Sequence, residues 1–134
     1  MKLLTLLLTL TLALSGCLGT DSQEVALGQE FELAPNQSVR VAGTPLIIGF
    51  RRVVADSRCP IDALCVTEGQ AGIELEIFGG GPAEPILVNN PLPTAWAEDG
   101  YRIRLLDLLP LRTVAGSIGP DQYRLRLAVD LTDR

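Results

Sequence analysis

Tyr123-Arg124-Leu125-Arg126-Leu127-Ala128-Val129 sets an apolar side chain at every second position, with arginines between the first of them. In an extended chain successive side chains point to opposite faces, so this stretch is a strand with one face in a core and one in water. Tyr101-Arg102-Ile103-Arg104-Leu105 repeats that logic. Working outward, Ile73, Leu75 and Ile77 alternate with Glu74 and Glu76, and Phe31 and Leu33 with Glu30 and Glu32. Pro35-Asn36-Gln37 is a turn signal, so Val39 and Val41 are expected to return as the hairpin partner of 31–33. Residues 45–54 (PLIIGFRRVV) make a longer apolar run. It is expected to be a strand covered on both faces at its start, with Gly49 marking a bulge or bend.

Pro85-Ile86-Leu87-Val88 is a further short strand, and Gly79-Gly80-Gly81-Pro82 breaks the one before it. Residues 91–100, with Pro91 and Pro93 and ending Trp96-Ala97-Glu98-Asp99-Gly100, read as a loop. No segment has a convincing helical period; Leu105 to Leu111 has room for one short turn, which Pro110 limits. Seven or eight short strands separated by turn signals predict an all-β domain, a single antiparallel β-sandwich or a barrel-like relative. That domain is placed at 29–134.

What precedes it is of another kind. Lys2 leads an uncharged apolar run from Leu3 to Leu14, which suits a signal-peptide core and falls short of the roughly 20 residues a spanning helix needs. Leu14-Ser15-Gly16-Cys17 resembles the bacterial lipobox, whose cysteine thiol takes a diacylglycerol before cleavage on its N-terminal side. The resemblance implies a signal peptide over 1–16, lipidation at Cys17, and a tether over 17–28. Several acyl chains, at about 0.8 kcal/mol per buried methylene, anchor a protein stably in a bilayer. Ten polar tether residues (18–27) reach at most about 35 Å. Position 18 is Leu rather than Asp. By the enterobacterial sorting rule this directs the protein to the outer membrane of a two-membrane envelope, and to the cell membrane otherwise.

The formal net charge is −5, one unit more negative once Lys2 leaves with the signal. Ten Arg then face sixteen acidic residues. That balance argues against a nucleic-acid partner and against electrostatic adhesion to anionic lipid. With Cys17 assigned to lipid, Cys59 and Cys65 form an even pair in an oxidising compartment, expected to be a disulfide closing a loop around Pro60. Such a short loop is worth roughly 2 to 2.5 kcal/mol by chain entropy.

After Cys17 the chain holds no His and no Lys. This removes Ser-His-Asp, Cys-His and Ser-Lys nucleophilic machinery and Schiff-base chemistry. No cofactor and no metal are expected. Asp56, Asp62 and Glu68 offer the oxygen chemistry of a calcium site, but at no EF-hand spacing. Asp56 is instead expected to bond turn amides or pair with Arg58. Gly79 to Gly81 lacks the Lys and the helix of a phosphate-binding loop.

The segment from Val53 to Gly69 carries Asp56-Ser57-Arg58-Cys59-Pro60, four residues, Cys65, and then Gly69. It resembles a segment of small bacterial secreted proteins and lipoproteins that share D-S-R-C-P-x4-C, commonly an aromatic two positions later, and a following Gly. Thr67 stands here in the aromatic's place. The resemblance implies the address and the bridge, and no mechanism. Pro60 restricts Cys59 to extended conformations, so the bridged loop is a rigid excursion with Arg58 and its neighbouring acids expected on the rim.

The sequence therefore predicts a membrane-anchored, non-enzymatic binding or accessory module of the bacterial envelope. It is held to the bilayer through acylated Cys17 and engages an envelope protein partner. The candidate interaction residues are Asp56, Arg58, Asp62 and Glu68 at the bridged loop, with Trp96 and Tyr101 near the proline-rich loop. For Trp96 the competing expectation is that it folds back over one end of the core. Three alternatives stand beside this one. They are a loop-presenting inhibitor of the chagasin type, for which Asn90-Pro91-Leu92-Pro93-Thr94 only faintly echoes the expected N-P-T-T-G-Y, a small-molecule carrier, and a carboxylate hydrolase.

Overall fold

The computed structural model describes residues 23–79, 84–88 and 91–132; the segment expected to be a signal peptide and Cys17 lie outside them. Nine strands form two sheets. They are β1 (Gln23–Val25), β2 (Glu30–Leu33), β3 (Gln37–Val41), β4 (Ile47–Asp56), β5 (Ala71–Phe78), β6 (Glu84–Val88), β7 (Thr94–Glu98), β8 (Tyr101–Leu109) and β9 (Arg124–Leu131). One sheet runs β1-β3-β4-β5-β6 and the other β2-β9-β8-β7. Among the described residues the only helical turn is a 3-10 turn at Pro120–Gln122. No described helix is long and apolar enough to cross a membrane. The domain is the all-β sandwich that the alternating segments predict.

Their apolar halves meet in one core. Ile73, Leu75, Ile48 and Phe50 from the first sheet face Leu33, Ile103, Leu105, Leu125 and Leu127 from the second, all fully buried or nearly so. Burying each such side chain contributes about 1.5–3 kcal/mol. Ile48 and Phe50 point into the core, while Gly49 between them lies on the outer face beside Ser38 and Glu76, so the 45–54 run is covered on one face and not on the two expected. Pro85, which lacks an N–H, falls on edge strand β6, where one side of the ladder is open.

The structure departs from the sequence reading in five further places along the strands. Segments 31–33 and 39–41 are not a hairpin: β2 pairs with β9 and β3 with β4. The turn between them carries the chain from one sheet to the other, with Asn36 at φ 65°. That crossing also explains the one parallel pair. The chain passes down β1, up β2 in the opposite sheet and down β3, so β1 and β3 run the same way. Secondly, the sandwich begins before residue 29: Val25 is buried and Gln23–Val25 adds an edge strand.

Thirdly, 94–98 is strand β7 rather than loop, antiparallel to β8. Alternation was hidden there by the small residues Ala95 and Ala97 around Trp96. Fourthly, the helix-like spacing of Leu105 and Leu108 is a strand with a bulge. The register shifts between Leu105 and Asp107, so both leucines point inward. Fifthly, Gly49 sits in regular register between Ser38 and Glu76. The irregularities of β4 come after it, between Phe50 and Arg52 and between Val53 and Ala55.

Candidate functional site

Strand direction sorts the connections into two ends. The turns 26–29 and 42–46 and the Asp99-Gly100 turn lie at one end. The crossing at 34–36, the bridged loop 57–70 and the segment 110–123 lie at the other. The second end holds the long irregular segments and most of the residues singled out from sequence.

The bridged loop begins as a continuation of the β4–β5 hairpin. Past the last paired residues, Asp56 and Ala71, the Ser57 amide donates to the Gln70 carbonyl (2.8 Å) and the Cys59 amide to the Glu68 carbonyl (2.8 Å). Cys59 and Cys65 are bonded, with Cα atoms 6.0 Å apart. Gly69 adopts φ +67°, and a Cβ there would fall 1.9 Å from the Ser57 carbonyl oxygen. Only glycine fits.

Arg58 ties this loop to the second sheet. Its Nε and Nη2 donate to the two carboxylate oxygens of Asp56 (2.8 and 2.7 Å), a bidentate pair. Its Nη1 donates to the Leu108 carbonyl and its Nη2 also to that of Pro110 (3.1 Å). The pair is largely enclosed, with side chains 15% and 8% exposed for Arg58 and Asp56. Asp56 also accepts from the Arg58 amide (3.2 Å) and the Tyr123 hydroxyl (3.2 Å). Burial by itself raises the Asp56 pKa. The hydrogen bonds and charge of Arg58, helped by Tyr123, outweigh that and hold the carboxyl below its ordinary value. Tyr123 is pushed the other way, by burial and then by the Asp56 charge.

A second clasp lies further out. Arg112 Nη1 donates to the Arg58 carbonyl (2.6 Å), the Ile61 amide to the Arg112 carbonyl (2.9 Å), and the Val114 amide to the Asp62 carboxylate (2.8 Å). The two clasps enclose an open cleft of about 340 Å³, whose walls include Arg58, Glu68, Asp107, Leu111 and Arg112. Beyond it the tip is apolar. Leu64 and Val66 are fully exposed, Ile61 and Val114 about two-thirds exposed (66% and 67%), and Leu111 half exposed.

The sequence-predicted residues therefore divide. Asp56, Arg58, Asp62 and Glu68 come together at the loop end, but Arg58 is not on the rim: it is an interior clamp, because the carbonyls of Leu108 in β8 and of Pro110 just past it draw its guanidinium inward. Trp96 lies mid-strand in β7, opposite Ile103, and packs on the core. Its indole N–H is buried and finds no partner among the described residues. Tyr101 opens β8 beside Leu131, at the far end from the bridged loop. Neither aromatic joins the loop site. Among the described residues no group of three or more acidic or cysteine side chains is arranged to hold a metal ion.

Sequence reading missed Arg112, which nothing local sets apart from other arginines. It placed Tyr123 on the buried face without foreseeing its bond to Asp56, sixty-seven residues away. It also passed over Ile61, Leu64 and Val66, although two large apolar residues inside the disulfide loop and one just past it, with no strand period, were a visible signal. Comparison of the chain with protein-family models, with curated proteins and with solved structures finds no match.

Proposed function

We propose that the chain is an exported lipoprotein of the bacterial envelope, a β-sandwich anchored through acylated Cys17 that acts as a non-enzymatic binding or accessory module. The observation that carries this reading is the run Leu14-Ser15-Gly16-Cys17 after an apolar stretch too short to span a bilayer. The bonded pair Cys59–Cys65 supports it, because such bridges persist in oxidising compartments. A non-catalytic role is supported by how the loop end uses its polar groups. Asp56, Arg58 and Asp62 are committed to holding loops together, and a general acid or base needs a group within reach of substrate.

Metabolic labelling of the full chain with a radioactive or clickable palmitate tests the anchor. The native chain is expected to incorporate label and to float with membranes, and Cys17→Ser to do neither. An unlabelled native chain overturns the anchor. Mild in-cell crosslinking of the tagged, lipidated protein then tests the accessory role. A reproducible envelope protein partner is expected, and a clean monomer overturns that part of the reading.

A further inference from the structure

We infer that the bridged-loop end of the sandwich docks on the bilayer, with Ile61, Leu64, Val66, Leu111 and Val114 as its contact surface. This rests on the lipoprotein reading above and adds an orientation to it. Three observations converge. The first is direction. Gln23 pairs with Val39 and Val25 with Val41, in parallel, while β3 and β4 are antiparallel with Gln37 opposite Phe50. The chain therefore enters β1 from the end toward which β4 runs to Asp56 and the bridged loop.

The second is length. From Cys17 to Gln23 is six residues, which span at most about 21 Å. Gln23 is level with Ile48 through Val39, and the eight residues from Ile48 to Asp56 rise about 26 Å. An anchor at Cys17 on so short a tether draws the loop end against the membrane; lifting that end clear requires the chain to double back before β1.

The third is chemistry. Leu64 and Val66 are as exposed as in an extended chain, so they project outward and do not line a groove. The polar side chains that might have covered them are held elsewhere: Arg58 by Asp56, Asp62 by the Val114 amide, Arg112 by the Arg58 carbonyl. Projecting apolar groups suit a fluid phase that deforms around them. Glu68 and Asp62 beside the tip, on a chain whose net charge of −5 becomes one unit more negative once Lys2 is removed, favour zwitterionic over anionic lipid.

Quenching by brominated lipid tests this. Full-length Leu64→Trp and Leu131→Trp are expressed in a host that acylates them and reconstituted into phosphatidylcholine vesicles with brominated acyl chains. Each is corrected for Trp96 in the parent protein. Leu131 is exposed at the opposite end of the sandwich, so both substitutions replace a surface leucine. Tryptophan at 64 is expected to be blue-shifted and quenched at least about twofold more than at 131, since an apolar group at a docked face enters the acyl boundary. Equal quenching, or stronger quenching at 131, in an acylated chain that floats with the vesicles overturns the docking and leaves the anchor standing. A chain without acyl groups on Cys17 by mass spectrometry overturns both.

Discussion

The two ends of the sandwich solve the same problem by different means. At the hairpin end, the Asp99-Gly100 turn reverses the chain in two residues, each with positive φ (47° and 83°), and a Cβ on Gly100 would meet nothing within 4 Å. Backbone geometry alone closes that turn. At the loop end, fourteen residues separate the β4–β5 pair. They are held by a disulfide, an enclosed ion pair, a glycine that tolerates no side chain, and an arginine clasp onto the next loop. Long loops must satisfy their backbone groups without a ladder, and here Asp56, Arg58, Asp62 and Arg112 do so. The cost of that solution is an apolar tip, since Arg58 and Arg112 are drawn onto backbone carbonyls and away from Leu64 and Val66.

The enclosed ion pair at the loop end contrasts most sharply with an exposed one midway along the β4–β5 ladder. Asp56→Asn leaves the Arg58 guanidinium enclosed without its counter-charge, a loss of about 3 to 4 kcal/mol for a pair so little exposed. Arg52–Glu74 is equally short at 2.7 Å but largely in water, and Glu74→Gln is expected to cost about 0.5 kcal/mol or less. Urea unfolding of both variants checks the contrast, and similar midpoints would mean the clamp adds nothing over a surface pair.

The pH profile of the parent protein tests the same group. The Asp56 pKa is lower folded than unfolded, where it is about 3.8, so its contribution is complete above about pH 5 and lost as pH falls through the folded value. Stability should decline on acidification below about pH 4, and Asp56→Asn should flatten that decline. Tyr123, raised above its ordinary value of 10.0, keeps its proton longer in the fold than in the unfolded chain. Stability should therefore also fall above about pH 10.

Next in size are the covalent and steric staples. Replacing both Cys59 and Cys65 by Ser should cost roughly 2 kcal/mol through the released loop entropy. Hydrogen exchange should rise across 57–70 and stay unchanged at Asp99-Gly100. Exchange rising equally at both ends would show that the bridge supports the whole sandwich instead of one loop.

Most of the sandwich was legible because its strands carry a period of two against charged partners, as in 73–77, 101–105 and 123–129. What escaped notice lacked that contrast. β7 alternates Trp with alanine, β1 buries only Val25 among polar neighbours, and a bulge at 105–107 breaks the count. Which strands pair was not legible at all for 31–41, since a turn signal reads the same whether the chain stays in one sheet or crosses to the other. At the site, the bridge and the Asp56–Arg58 pair followed from residues two to six positions apart. Arg112 and Tyr123 join them only through contacts more than fifty positions away, which no local pattern records. The same limit hid the direction in which the chain runs into the sandwich, because it depends on β1 pairing in parallel with β3.

Two glycines with nearly the same backbone give the finest comparison. Gly69 and Gly100 both sit at positive φ, +67° and +83°, so alanine strains each by about 1 kcal/mol. At Gly100 that is the whole expected cost, since the added methyl group enters open space. At Gly69 the methyl collides with the Ser57 carbonyl, which is fixed by its place in the loop. Overpacking then adds to the strain, for a total of about 2 to 3 kcal/mol. Thermal unfolding of Gly69→Ala and Gly100→Ala, measured side by side, reads the difference between them directly. Equal losses would mean that the loop yields around residue 69, and that the staples at this end hold it less tightly than the hydrogen bonds imply.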